Sequence, residues 1–278
     1  VLFPGFWVEY GMANEPSAFG PPILWRSNDA PAIRHLDRAP ETWAGLPVPD
    51  PRVDGLMALV VRRYWNLERE GELPEPHRVR IVAARGPFTT AAHLVGVTNF
   101  LAAAADPEAE EYVRALLETT TVTTIRFLQA QLDCLREPAG VLVLDDTVGM
   151  LSPRLFKRLA VPALNRVFDA FDGLLRLYHN DMPCEHLLRY MDALHFDLWH
   201  FSHKMPVAEV RAALPDRALM GNVSPLLLRD GTPAEVEQAA RAVIEQAGRR
   251  GFVLAPGGGT NAGTPLENID ALVRAAQG

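Results

Sequence analysis

Leu174-Leu175-Arg176-Leu177-Tyr178-His179-Asn180-Asp181 is a short apolar run that ends in three polar residues, with Pro183 placed to open a helix just beyond. Runs of β-branched and large apolar residues bounded by polar punctuation read as strands. The same pattern recurs at Leu2 to Tyr10, Arg80 to Ala84, Val141 to Leu144, Asp197 to Phe201, Ala218 to Gly221 and Phe252 to Ala255. Between these runs the apolar spacing becomes helical. In Pro233 to Gln246 and just beyond, Val236, Ala239, Ala240, Val243, Ile244 and Ala247 line one face, and Thr232-Pro233-Ala234-Glu235 supplies a cap hydroxyl, a first-turn Pro and a Glu for a capping box. Thr264-Pro265-Leu266-Glu267 repeats that device before the last helix, and Ser152-Pro153 opens another. Seven strands with helical crossovers fit an open doubly wound sheet or a (β/α)8 TIM barrel lacking its N-terminal strand and segment. No Gly-x-Gly-x-x-Gly turn follows an early strand, and the chain starts at Val1 without Met; both favour the barrel, with the natural protein expected to begin further upstream. Residues 21–51, rich in Pro, Asn and Asp, read as an irregular excursion with a short strand at Ile23 to Arg26.

The bulk properties narrow the function. A chain of 278 residues with no linker or internal repeat fits one barrel with one large core. Its 48% hydrophobic and 22% charged content excludes a disordered chain. A net charge of −7 without long Lys/Arg runs argues against nucleic acid as a partner. Two cysteines, Cys134 and Cys184, suit a reducing compartment, so the cytoplasm is expected. No apolar run reaches the ~18 to 20 residues of a membrane helix, so no membrane is expected as a partner.

Nearly every candidate strand ends in residues that an apolar core excludes. Arg85-Gly86-Pro87 follows one, Asp145-Asp146 another, and His179-Asn180-Asp181 a third; His200 and His203, Gly221-Asn222 and Gly257-Gly258-Gly259 follow the rest. In a closed parallel barrel these ends share one mouth, where the active site of that architecture lies. Asp145 and Asp146 point opposite ways if the strand continues through them, so one faces the mouth and the other caps the helix beginning near Ser152 or pairs with a loop donor. His179 and Asp181, two apart, point the same way, as a metal ligand pair or a carboxylate-held His; a helix-capping Asp181 beside a structural His179 is the competing account. His200 and His203 are substrate contacts or satisfied rim histidines. The glycine loop around Gly258 offers close backbone approach and N–H groups for an anion. Glu9 and Tyr10 close the first strand, with Glu9 a further ligand or acid, or solvent-exposed.

From Arg85 to Gly278 the chain resembles the uroporphyrinogen decarboxylase superfamily, which includes the decarboxylase of haem synthesis and corrinoid-linked methyltransferases. The resemblance is carried by Arg85-Gly86-Pro87, Gly149-Met150-Leu151-Ser152-Pro153 with Phe156, Leu177-Tyr178-His179, and Gly221-Asn222-Val223-Ser224-Pro225 with Gly231-Thr232-Pro233 and Val236. The glycine loop followed by Pro265-Leu266-Glu267-Asn268 completes it. It implies a single barrel domain over residues 1–278. The decarboxylases have a Ser-Asp-Ile-Leu motif and a His in the late glycine loop, but no Asp lies between Val1 and Asn28, and Gly257 to Gly259 replace that His. The methyltransferases bind zinc through His-x-Cys and a later Cys. Here His179 matches, Asp181 takes the Cys position and the later Cys falls among the glycines. A harder His/Asp/Glu site suits an oxygen-bearing substrate. The resemblance therefore implies methyl transfer from a small methylated substrate to a corrinoid protein, with Asp145, Asp146, His179 and Asp181 as the catalytic set. His179, Asp181 and Glu9 are its zinc ligands; Glu9, Tyr10, Arg85, His200, His203, Asn222 and Gly258 are its substrate contacts. Cofactor-free uroporphyrinogen III decarboxylation and a non-catalytic ligand-binding barrel are the alternatives, and a homodimer is an expected assembly.

Overall fold

A computed structural model of the protein describes residues 7–36, 39–71 and 77–278. Within the Pro-rich excursion, β1 (Ile23–Leu24) and β2 (Ala32–Ile33) make a short antiparallel pair. Six further strands form a parallel sheet in chain order: β3 (Ile81–Arg85), β4 (Gly140–Leu144), β5 (Leu175–Asn180), β6 (Leu198–Phe201), β7 (Ala218–Val223) and β8 (Phe252–Pro256). Parallel neighbours need long crossovers, and helices supply most of them. Pro87–Val95, Val97–Ala105 and Glu110–Leu132 lead from β3 to β4, Val161–Asp169 from β4 to β5, Val207–Ala213 from β6 to β7, and Pro233–Ala247 from β7 to β8. No single helix among the described residues is long and apolar enough to cross a membrane.

Six of the seven expected strands form within a residue or two of their expected bounds. The first differs. Residues 1–6 of Leu2 to Tyr10 lie outside the described residues, and Trp7 to Tyr10 are not strand. Their amides find side-chain acceptors instead: Val8 N–H donates to the Tyr64 hydroxyl at 3.0 Å and Tyr10 N–H to Asn14 Oδ1 at 2.9 Å. The caps follow the sequence at Ser152 and Thr232, the latter in a complete capping box with Glu235. Thr264 does not cap the helix Leu266–Gln277; its hydroxyl donates to Asn261 O, and Pro265 takes the cap position.

The backbone gathers into two compact units, one up to Arg176 and one from Leu177. In the first, the helix Glu110–Leu132 buries Leu116, Leu117, Phe127 and Leu128, each worth about 1.5–3 kcal/mol of apolar burial. Two of its buried threonines bond within the helix, Thr120 Oγ1 donating to Leu116 O and Thr123 Oγ1 to Thr119 O, and Thr124 Oγ1 reaches Arg85 O, which steadies the end of β3. In the second, Val223, Leu228, Val236, Ala240, Ala271, Leu272 and Ala275 form a core between β7 and the last helices.

Candidate functional site

In the first unit the expected site residues Asp145, Arg85 and Glu9 all have partners within the protein. Asp145 follows β4 and is fully buried. Its Oδ2 accepts from Phe88 N–H at 3.0 Å, and its Oδ1 accepts from Thr89 N–H at 2.7 Å and Thr89 Oγ1 at 2.8 Å. Phe88 and Thr89 lie in the first turn of the helix Pro87–Val95, whose cap residue Gly86 has no side chain to offer. A carboxylate from a neighbouring strand thus satisfies the orphan N–H groups of that turn. Gly86 must be glycine for this: a Cβ there would lie 2.3 Å from Asp145 Oδ2. Burial raises the Asp145 carboxyl to about 7, against the lowering pull of these hydrogen bonds. Asp145, expected in the catalytic set, thus holds the first turn of the helix Pro87–Val95. Asp146 is partly buried and opens the 3-10 turn Asp146–Met150.

Arg85, expected to support an anion or a loop, ties down the N-terminal segment. Its Nη2 pairs with Glu9 Oε2 at 3.0 Å and its Nε donates to Met12 Sδ at 3.1 Å. Glu9, expected among the metal ligands, is thereby engaged by a guanidinium. Tyr10 packs edge-on against Trp25 with ring centroids 6.4 Å apart. Sequence reasoning missed Glu15. It is fully buried, Oε1 accepts from Arg85 N–H at 2.7 Å, and Oε2 has no hydrogen-bond partner among the described residues. Burial raises its carboxyl to about 7. In the sequence it sits in a polar stretch, Asn14-Glu15-Pro16-Ser17, with no strand or helix periodicity to mark it as interior.

The second unit holds the more open chemistry. His179 on β5 and His200 on β6 are register partners, so both side chains leave the same face of the sheet. Their Nδ1 atoms are 2.8 Å apart, and His200 Nε2 lies 2.7 Å from Pro256 O at the end of β8. Burial, then the neighbouring His179, lowers His200 to about 4. The other ring nitrogen of His179, Nε2, stands 3.9 Å from Asp181 Oδ2. The His179 side chain is 12% exposed and that of Asp181 36%, so the pair is shielded yet reachable. Gly258 makes room for it: a Cβ there, at φ 143°, would sit 3.1 Å from Asp181 Oδ2. On the opposite face Tyr178 and Asn180 bond to each other, and Tyr178 stacks on Phe196.

The remaining expected contacts have protein partners of their own. Asn222 is buried, and its amide donates to Ser202 O and Met205 O. His203 Nδ1 lies 3.0 Å from Gly257 O, which also accepts from His203 N–H. Gly257 N–H donates to Val223 O, so this amide of the glycine loop serves the fold and not an anion. A Cβ on Gly257 would lie 2.3 Å from His203 N, which is the reason for glycine there.

An imidazole nitrogen and a carboxylate oxygen 3.9 Å apart fit adjacent positions around a divalent cation that takes nitrogen and oxygen ligands. They do not fit a thiolate-rich zinc site: Cys184 is buried with its Sγ 3.8 Å from Met205 Sδ, and Cys134 donates to Val61 O and Ala130 O.

Comparisons with known proteins agree with this architecture. The family model described as uroporphyrinogen decarboxylase (URO-D) matches residues 5–278. A uroporphyrinogen decarboxylase of Thermus thermophilus is 30% identical over 212 residues, covering 74% of this chain and 60% of the relative. One of Streptomyces coelicolor is 32% identical over 162 residues, covering 57% of this chain and 44% of the relative. The chain thus spans 60% or less of the length of these two decarboxylases. A solved methyltransferase from Methanosarcina mazei shares the fold with a TM-score of 0.84 at 23% identity, over 99% of this chain and 80% of that one.

Proposed function

Since the chain belongs to the uroporphyrinogen decarboxylase (URO-D) family, we propose that it is an enzyme that removes a methyl group from an oxygen of a small substrate and passes it to a corrinoid protein. The observation that carries this reading is the His179 and Asp181 pair, 3.9 Å apart and partly shielded; by the resemblance, Asp181 stands where the zinc-binding methyltransferases carry a Cys. When a methyl group leaves oxygen, the C–O bond breaks with its electron pair on oxygen, and the developing negative charge must be met by a proton or a cation. His179 Nε2 and Asp181 Oδ2 would be ligands to a divalent cation, and zinc bound there would act as a Lewis acid on that oxygen. The same two groups also orient the leaving oxygen directly. The methyltransferase with the same fold supports this reading.

Decarboxylation of uroporphyrinogen is the second reading, favoured by the names of the relatives from Thermus thermophilus and Streptomyces coelicolor. The two separate by metal content and turnover. Purified protein dialysed against zinc should retain about one ion per chain, lost in His179→Ala and Asp181→Ala, and should demethylate a methoxylated substrate when a reduced corrinoid protein is supplied. A metal-free chain that consumes uroporphyrinogen would overturn methyl transfer in favour of the second reading. A chain that does neither would be a ligand-binding barrel.

A further inference from the structure

We propose that the cleft between the helices Glu110–Leu132 and Val161–Asp169 of the first unit is a binding site for a small carboxylate with an apolar body, met by Thr121, Arg114 and Arg166. The site shares no residue with the set proposed for methyl transfer.

The cleft begins with a proline. Pro162 has no N–H to give to the carbonyl of Arg158, four residues earlier, so the regular helical ladder fails there. The chain widens into a π turn over Phe156–Ala160, with Val161 N–H donating to Phe156 O. Such turns are frequent at functional sites. Here the turn sets Leu159 into the wall of a cavity of about 230 Å³, shared with Leu117, Thr121 and Ala163. A cavity of about 150 Å³ suffices for benzene, so this one takes an apolar body of roughly one ring.

Its polar groups ask for an anion. Thr121 lines the cavity and is 2% exposed. The hydroxyls of Thr119, Thr120, Thr123 and Thr124 on the same helix all donate to carbonyls, whereas that of Thr121 has no hydrogen-bond partner among the described residues. Buried hydroxyls are normally bonded, so this one is left for a ligand. Arg114 and Arg166 reach the same space. Arg114 shares Glu110 with Arg158, and Arg166 pairs with Glu118, so three guanidiniums meet two carboxylates and one positive charge is uncompensated. Arg154 adds to the excess: the Glu110 carboxyl is held below its usual range first by its bond to Arg114 and further by the charges of Arg158 and Arg154. A local positive excess on a chain of net charge −7 attracts an anion. The pairs of Arg114 and Arg166 are exposed and therefore weak, so either guanidinium can turn to an incoming carboxylate in the forked geometry it favours. The apolar walls favour an organic carboxylate over phosphate.

The test is the binding of benzoate to the full chain by isothermal titration calorimetry, with benzyl alcohol as an uncharged probe of the same size. One benzoate per chain should bind with a dissociation constant on the order of 1 mM or tighter, and benzyl alcohol about 10-fold more weakly or worse. Arg166→Gln should weaken benzoate about 10-fold, and the isosteric Thr121→Val about fivefold. Ala163→Phe fills the cavity and should abolish binding. No benzoate binding, or binding that is unchanged in Arg166→Gln and Thr121→Val, overturns the proposal. Equal affinity for benzyl alcohol overturns the anionic class of the ligand. Arg166 is about half exposed and Thr121→Val keeps its shape, so these two variants decide the matter even if Ala163→Phe does not fold.

Discussion

Replacing Asp145 separates an anchor from a catalyst. Asp145→Ala leaves Phe88 N–H, Thr89 N–H and the Thr89 hydroxyl without their acceptor in a dry interior. Each unmet buried donor costs about 1–3 kcal/mol, and removing a desolvated carboxyl returns part of that. A net loss of about 3 kcal/mol lowers the melting temperature by roughly 6–12 °C in a chain of this size. The pH dependence identifies the carboxyl itself. In the unfolded chain it titrates at its ordinary 3.8, and in the folded chain burial holds it at about 7. As pH rises between these values the unfolded chain releases its proton first, so this group's contribution to folding is complete below about pH 4 and is lost as pH passes 7. The whole swing is on the order of 4 kcal/mol. Glu15, raised by burial from 4.5 to about 7, adds a swing of the same sign. Asp145→Asn keeps an acceptor for Thr89 and removes only the first of these. Urea unfolding of wild type and Asp145→Asn between pH 5 and pH 8 should show the wild type losing about 3 kcal/mol relative to the variant across that range. A difference constant with pH, or an Asp145→Ala protein that melts like wild type, would refute the assignment of Asp145 as a buried anchor.

Gly257→Ala should cost about 3 kcal/mol or more, or abolish soluble expression, because the new Cβ overlaps His203 backbone at 2.3 Å. Gly259→Ala, with nothing within 4 Å of the added atom, should leave the melting curve within about 0.5 kcal/mol of wild type and serves as the internal control. Thr232→Ala removes the hydroxyl of the capping box and should lower stability by about 1 kcal/mol in urea titrations. Glu9→Gln breaks the pair with Arg85, and since the Glu9 side chain is 43% exposed the loss should stay below about 1 kcal/mol. Zinc content should be unchanged in that variant, and a loss of metal by elemental analysis would return Glu9 to the ligand set.

The strands β3 to β8 and the helix Pro233–Ala247 were legible because their signals are local: apolar runs, helical spacing, and caps within four residues of the helix they start. The His179 and Asp181 pair was legible for the same reason, since residues two apart at a strand end share a direction. What the sequence could not resolve depended on partners far along the chain. Asp145 and Asp146 are adjacent acids of equal standing until the amides of Phe88 and Thr89, more than fifty positions away, claim the first. Glu15 looks like a loop residue until Arg85 N–H is found against it. The sequence by itself determined the family, the order of strands and the residues gathered at their ends, because pattern and composition act over a few neighbours. Only the tertiary structure decided which of those residues are buried and bonded and which stay exposed, because hydrogen-bond partners and burial arise when distant segments meet.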